Sequence, residues 1–100
     1  MNFTAASALA ATVSQAAFHG VKLTWVDNTN NENGFEVWRR PVASSVWTKV
    51  VTTFANVTSV TFGNPTSGGY VYKVRARRWV SLLQMWIYSH WSAERYVVLQ

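Results

Sequence analysis

The run YVYKVRAR at residues 70–77 alternates between ring or aliphatic side chains and basic ones. In an extended strand successive side chains point to opposite faces. Tyr72, Val74 and Ala76 therefore share one side, with Tyr70 in the same parity, and the arginines Arg75 and Arg77 take the other. Such a strand buries one face and needs partners. Upstream, GVKLTWV (20–26) alternates the same way and puts Val21, Leu23 and Trp25 together, so Trp25 is a core residue. FEVWRR (35–40) sets Phe35 and Val37 against Glu36, Trp38 and Arg40, and Pro41 ends it.

Four further runs, ALAATVS (8–14), VWTKVVTTF (46–54), VTSVTF (57–62) and AERYVVLQ (93–100), bring the strand candidates to seven. Turn-forming clusters separate them: DNTNNENG (27–34) and GNPTSGG (63–69) are rich in residues that accept turn or left-handed conformations. This spacing predicts an antiparallel immunoglobulin-like sandwich, although pattern alone leaves other small β-folds open. There is no internal repeat and no linker, so residues 1–100 are read as one domain.

At 100 residues the chain is long enough for one core and leaves little room for an enclosed active-site cavity. It has no cysteine, which excludes disulfides, a thiolate nucleophile and a cysteine-ligated zinc site, and leaves the redox compartment open. Nine Lys and Arg against four Asp and Glu give a net charge of +5, a balance that favours acidic partners. The N-terminal stretch MNFTAASALAATVSQAAF makes a poor secretory leader, lacking a basic start and an unbroken apolar run. Residues 79–88 are too few for a spanning helix, which takes about 20 apolar residues. Localisation stays open between a virion, an extracellular setting and a recombinant origin.

Particular residues say more than the pattern. VKLTWVDNTNNENGFEVWRRP, then VWTKV, then YVYKVRA and later WSAE resemble a fibronectin type III domain of bacterial or phage type, over nearly the whole chain from Ala8 onward. The resemblance implies an all-β fold, a seven-stranded antiparallel sandwich, with Trp25 as the core tryptophan of the second strand. It also implies that Tyr70 is the corner tyrosine before the sixth strand, and that Tyr72, Val74 and Ala76 point inward. Three features depart from it. Asn64 stands where the family usually has leucine, with Pro65 and the late glycines Gly68 and Gly69 following; Trp38 replaces a polar outer-face residue; and the loop between the last two strands is long and apolar.

That loop, residues 79–91, is the candidate binding element. The resemblance implies protein binding through the loops at one end and the outer sheet face. Independently, Trp79, Val80, Leu82, Leu83, Met85, Trp86, Ile87 and Tyr88 cannot all enter a core that the strands already fill. As a helical turn the segment would align Trp79, Leu82, Leu83, Trp86 and His90; as a longer hairpin it would put Trp79, Leu83, Ile87 and Trp91 on one side and Leu82, Trp86 and Tyr88 on the other. It could also fold back onto its own sheet with Trp38 as a landing point, or meet a membrane surface. Each buried large side chain contributes about 1.5–3 kcal/mol, and Trp and Tyr dominate binding hot spots.

The partner-binding set is accordingly Trp38, Trp79, Leu82, Leu83, Met85, Trp86, Ile87 and Tyr88, with Arg75, Arg77 and Arg78 as anion contacts. The expected function is a non-catalytic interaction module that buries this loop against a partner or other copies. A virion or other structural component and an engineered binder with a diversified loop both suit it. A basic and aromatic nucleic-acid surface is the rival, weakened because Leu82, Leu83, Met85 and Ile87 are poor partners for phosphates or base edges. Catalysis is not specified: Asp27, Glu32 and Glu36 form no acid and base pair, and His19 and His90 have no companions at ligand spacing. No cofactor or metal is expected. Sequons begin at Asn2 and Asn56 and matter only in a eukaryotic secretory path.

Overall fold

The computed structural model describes residues 7–14, 20–29, 31–63 and 68–99. They form eight β-strands and, among the described residues, no helix. The strands are β1 (Ser7–Ser14), β2 (Gly20–Val26), β3 (Gly34–Pro41), β4 (Thr48–Thr52), β5 (Ser59–Gly63), β6 (Gly68–Val80), β7 (Met85–Tyr88) and β8 (Arg95–Leu99). One sheet has the order β1-β2-β5; the other runs β4-β3-β6-β7, with β8 also paired to β6. Every pairing is antiparallel. All seven sequence candidates are present. The eighth, β7, falls within residues 79–91, expected as the loop before the last strand; β7 and β8 both lie along β6, one at each end.

The alternation expected of β2, β3 and β6 is realised. Val21, Leu23 and Trp25 from β2 pack on Phe35 and Val37 from β3, on Tyr72, Val74 and Ala76 from β6, and on Val97 from β8. Val50, Val51, Val60 and Tyr70 line the margin of this core. Trp25 and Phe35 meet with ring centroids 5.5 Å apart and planes inclined by 60°, a tilted geometry favoured by aromatic quadrupoles. Burying each of these side chains contributes about 1.5–3 kcal/mol. Pro41 closes β3 opposite Tyr70, at a strand end where a missing N–H does little harm. The sequence readings on Asn2, His19, Asn64 and Pro65 fall outside the described residues.

Gly34 opens β3 where the chain between β4 and β5 passes over it. A Cβ there would collide with the Thr53 carbonyl oxygen. Thr53 clasps the same point, its N–H donating to the Phe35 carbonyl (2.8 Å) and its hydroxyl accepting from the Phe35 N–H (3.2 Å). The β2–β3 connection, the β4–β5 connection and the β6–β7 turn all lie at one end of the sandwich, as antiparallel order requires. The principal extents are 46 × 26 × 19 Å.

Candidate functional site

β6 is thirteen residues long, enough to run about 43 Å at some 3.3 Å per residue. Its first half pairs with β8 and its last four residues pair with β7, Arg77 to Tyr88, Arg78 to Ile87, Trp79 to Trp86 and Val80 to Met85. Residues 79–88 are therefore neither a helix nor an irregular loop, but the distal part of a hairpin, and 89–91 lead on irregularly toward β8. Its turn is closed by the Leu83 N–H donating to the Val80 carbonyl (3.1 Å) and the Gln84 N–H donating to the Ser81 carbonyl (3.3 Å). Gln84 adopts a left-handed φ of 53°, and its side-chain amide donates to the Ser81 carbonyl at 2.6 Å. That bond helps offset the strain of a non-glycine residue there.

The turn length corrects the hairpin faces expected from the sequence. With four residues between Val80 and Met85, odd positions on β6 stand opposite even positions on β7. Arg77, Trp79, Trp86 and Tyr88 thus share one face, and Arg78, Val80, Met85 and Ile87 share the other. Trp79 and Ile87, grouped in the sequence reading, are on opposite faces. Asn33 fixes the root of the hairpin: its N–H donates to the Arg77 carbonyl (2.8 Å) and its side-chain oxygen accepts from the Trp79 N–H (2.6 Å).

The first of these faces continues down the outer surface of the sheet as an alternation of cations and rings. Arg77 lies 4.0 Å over the Trp86 ring, and Trp86 meets Trp79 edge-on at 5.4 Å. Arg75 sits over Tyr88 at 3.8 Å and over Trp91 at 4.5 Å, with Trp38 beside it at 5.6 Å. Lys73 lies between Trp91 and Trp47, 4.0 Å from each centroid, and Arg40 covers the far end of Trp47 at 5.3 Å. Trp38 touches Trp91 edge-on at 5.9 Å. Contacts of this kind contribute about 0.5–2 kcal/mol each, rising with desolvation. Burial pushes the Lys73 ammonium below its usual pKa, with Glu94 opposing that shift and Arg75 and Arg40 adding to it.

Beneath the ladder is a carboxylate. Glu36 is only 2% exposed. Its Oε1 accepts from Arg75 Nε at 2.8 Å and from Trp38 Nε1 at 3.0 Å, and Lys49 Nζ stands 3.8 Å from Oε2. Burial alone pushes its pKa up; the Trp38 and Arg75 hydrogen bonds and the charges of Arg75 and Lys49 more than reverse this, leaving the carboxyl below its ordinary range. Glu36 is thus a fixed anion that aligns the cations above it.

Two serines join the hairpin to β8. Where the last strand leaves the ladder, the Ser89 hydroxyl accepts from the Ala76 N–H (2.9 Å) and the Ser92 hydroxyl accepts from the Val74 N–H (3.0 Å). Their own N–H groups donate back to the carbonyls of Ala76 (3.0 Å) and Val74 (2.8 Å). Each hydroxyl then donates onward, Ser89 to the His90 carbonyl (2.9 Å) and Ser92 to the Ala93 carbonyl (3.1 Å). Both serines are buried, and their oxygens occupy the places that strand carbonyls would hold.

The structure sorts the sequence candidates into two groups. Arg75 and Arg77 are stacked in the ladder, and Arg78 lies on the other face of the hairpin, so the three arginines do not converge on one point. Trp38 and Trp86 are half-buried among the ladder residues, and Ile87 is half-buried on the opposite face. The tip is different: Leu82 is 92% exposed and Leu83 58%, with Met85 beside them also exposed, as are the outer edges of the ladder rings Trp79 and Tyr88. Phe54, 86% exposed in the β4–β5 connection at the same end, was not a sequence candidate. Trp47, Lys73, Arg40, Ser89 and Ser92 also escaped sequence reasoning. The outward parity of Lys73 with Arg75 and Arg77 was the one available signal for the ladder. Among the described residues no group of three or more His, Cys, Asp or Glu side chains could hold a metal, and no helix is long and apolar enough to cross a membrane.

Neither any protein-family model nor any of the curated proteins compared matches the chain. Solved structures do. Titin domains A168–A170 superpose with a TM-score of 0.71 at 18% identity over 95% of this chain, which spans 31% of that one. A Fn3-like protein from Clostridium thermocellum gives 0.69 at 22% identity, covering 93% of this chain and 88% of that chain. A myokine gives 0.69 at 13% identity, covering 98% of both chains. At these identities the likeness is one of fold: the chain has the fibronectin type III sandwich.

Proposed function

We propose that this chain is a non-catalytic protein-interaction module whose docking element is the tip of the β6–β7 hairpin. The observation that carries the reading is the contrast within that hairpin. Leu82 and Leu83 are exposed at its end (92% and 58%), while its root is held by Asn33, the Arg77–Trp86 stack and the Trp79–Trp86 pair. An apolar tip on a braced stalk costs little further ordering when it docks, because the ordering is done on folding. The partner is a protein surface or another copy of the chain, as suits a structural or virion component that assembles.

The occupied ring faces weigh against the nucleic-acid alternative. Stacking of bases needs open aromatic faces, and those of Trp86 and Trp91 are covered by Arg77, Arg75 and Lys73.

The test compares the wild-type chain with Leu82→Ser/Leu83→Ser by size-exclusion with light scattering, retention on a phenyl matrix and thermal melting. The expected result is loss of self-association or of apolar retention in the variant, with the melting temperature unchanged. Identical elution, mass and retention of the two proteins would remove the tip as a docking element. A lower melting temperature in the variant would instead make the tip part of the folded core.

A further inference from the structure

We infer that β7 is a pairing edge for a second copy of this chain, in a two-fold arrangement centred on Ile87. The inference rests on the reading that the hairpin is the docking element, and adds which copy docks and how. β7 lies at the end of its sheet, with β6 as its one neighbour among the described residues. Its hydrogen-bonding parity follows from the ladder. Ala76 and Ser89 exchange bonds, so residues 85, 87 and 89 turn their backbone groups toward β6. The N–H and C=O groups of Trp86 and Tyr88 therefore face outward.

An open edge of this sort is a template for another strand, and proteins usually blunt it with lysine, proline or a bulge. Met85, Trp86, Ile87 and Tyr88 contain no lysine, no proline and no charge; the strand's shortness, four residues ending at the Ser89–Ser92 irregularity, is what limits the edge to one short pairing.

The sequence is also self-complementary about its third residue. In an antiparallel pair with Ile87 opposite Ile87 of the second copy, Trp86 stands opposite Tyr88 in both directions. Those are the two residues whose backbone groups point outward, so each pair closes two hydrogen bonds. Side chains directly opposite share a face, which places Trp86 beside Tyr88 of the other copy, and isoleucine against isoleucine on the far side. The same arrangement brings the tip of each hairpin toward the other copy's Ser89–Ser92 bridge. Such an interface is isologous and closes at two copies.

The absence of cysteine provides the test. A residue on the two-fold axis of a non-hydrogen-bonded antiparallel pair has its Cα about 4.5 Å from its mate, within disulfide range. Ile87→Cys is therefore expected to form a covalent dimer about tenfold faster than Leu83→Cys, the more exposed position, a ratio equivalent to about 1.4 kcal/mol. The wild-type chain is expected to run as a dimer by light scattering, strengthened by salt because both copies carry +5. A wild-type monomer at the highest soluble concentration, with Ile87→Cys oxidising no faster than Leu83→Cys, overturns the pairing.

The two readings fail separately. If Leu82→Ser/Leu83→Ser loses apolar retention while Ile87→Cys remains reduced, the tip docks on something other than this edge and the pairing falls. If Ile87→Cys cross-links while the leucine variant behaves as wild type, the edge pairs and the tip reading falls.

Discussion

Replacing Ser89 or Ser92 by alanine removes a single oxygen, yet each is expected to be among the more damaging small changes available to this chain. The Ser92 hydroxyl satisfies the N–H of Val74 and the Ser89 hydroxyl that of Ala76, and both of these β6 residues are fully buried. Alanine cannot accept, and the chain between β7 and β8 has left the ladder, so no strand carbonyl is at hand. An unsatisfied buried amide costs about 1–3 kcal/mol. The carbonyls of His90 and Ala93, which lose a donor at the same time, belong to exposed residues and can be hydrated, so they add little. Each single variant should therefore lose about 2 kcal/mol, which for a domain of this length lowers Tm by roughly 8–16 °C. Ser81→Ala, in the exposed turn, should stay within about 0.5 kcal/mol of wild type. Circular-dichroism melts give the totals, and hydrogen exchange at Val74 and Ala76 assigns them: each substitution should accelerate its own amide first. Melting within about 2 °C of wild type for both variants would mean that the hydroxyls are dispensable and would refute the argument that they replace the missing ladder.

Three other outcomes can be checked in parallel. Glu36→Gln should destabilise the protein by about 3 kcal/mol at neutral pH, since it leaves Arg75 and Lys49 without their anion. Because the folded-state pKa of Glu36 is lowered, its contribution is present above the unfolded carboxylate range and is lost as pH falls through the folded value. Urea midpoints of the variant should therefore depend less on acid than those of the wild type. Gly34→Ala should cost about 1–3 kcal/mol, because its Cβ must displace the Thr53 backbone; a wild-type urea midpoint would show that the β4–β5 connection yields freely. Asn33→Ala should leave the global melt nearly unchanged but speed amide exchange at Trp79 about tenfold, the loss of one hydrogen bond near 1.4 kcal/mol; unchanged exchange there would remove Asn33 as the brace of the hairpin.

The sandwich was legible because its information is local and of period two. Val21, Leu23, Trp25, Phe35, Val37, Tyr72, Val74 and Ala76 all alternate, and the structure buries every one of them. The hairpin was legible only as one of several readings of an excess of apolar residues. Its faces depend on how many residues make the turn, and SLLQ at 81–84 carries no glycine, proline or asparagine to fix that number. A shift of one residue exchanges the two faces, which is why the hairpin reading grouped Trp79 with Ile87 and not with Trp86. The ladder was hidden for a different reason: it is assembled from β3, β6, β7 and the segments around Trp47 and Trp91, and no sequence window contains more than part of it. Ser89 and Ser92 look like ordinary polar loop residues until the interruption they repair is known.

That interruption has a consequence for what the domain tolerates in evolution or in the laboratory. β6 runs without a break from the core into the hairpin, whereas the returning chain is re-anchored at Ser89 and Ser92 before β8 begins. Everything between Arg77 and Tyr88 is thus a detachable cassette with its own fastening. Removing matched residues, one from β6 and one from β7, shortens the stalk while the core keeps its register and Val97 its place. Adding a single residue to the turn inverts every side chain of β7 but stops at Ser89. The domain can therefore change its reach or exchange the chemistry of its tip without renegotiating the sandwich that carries it.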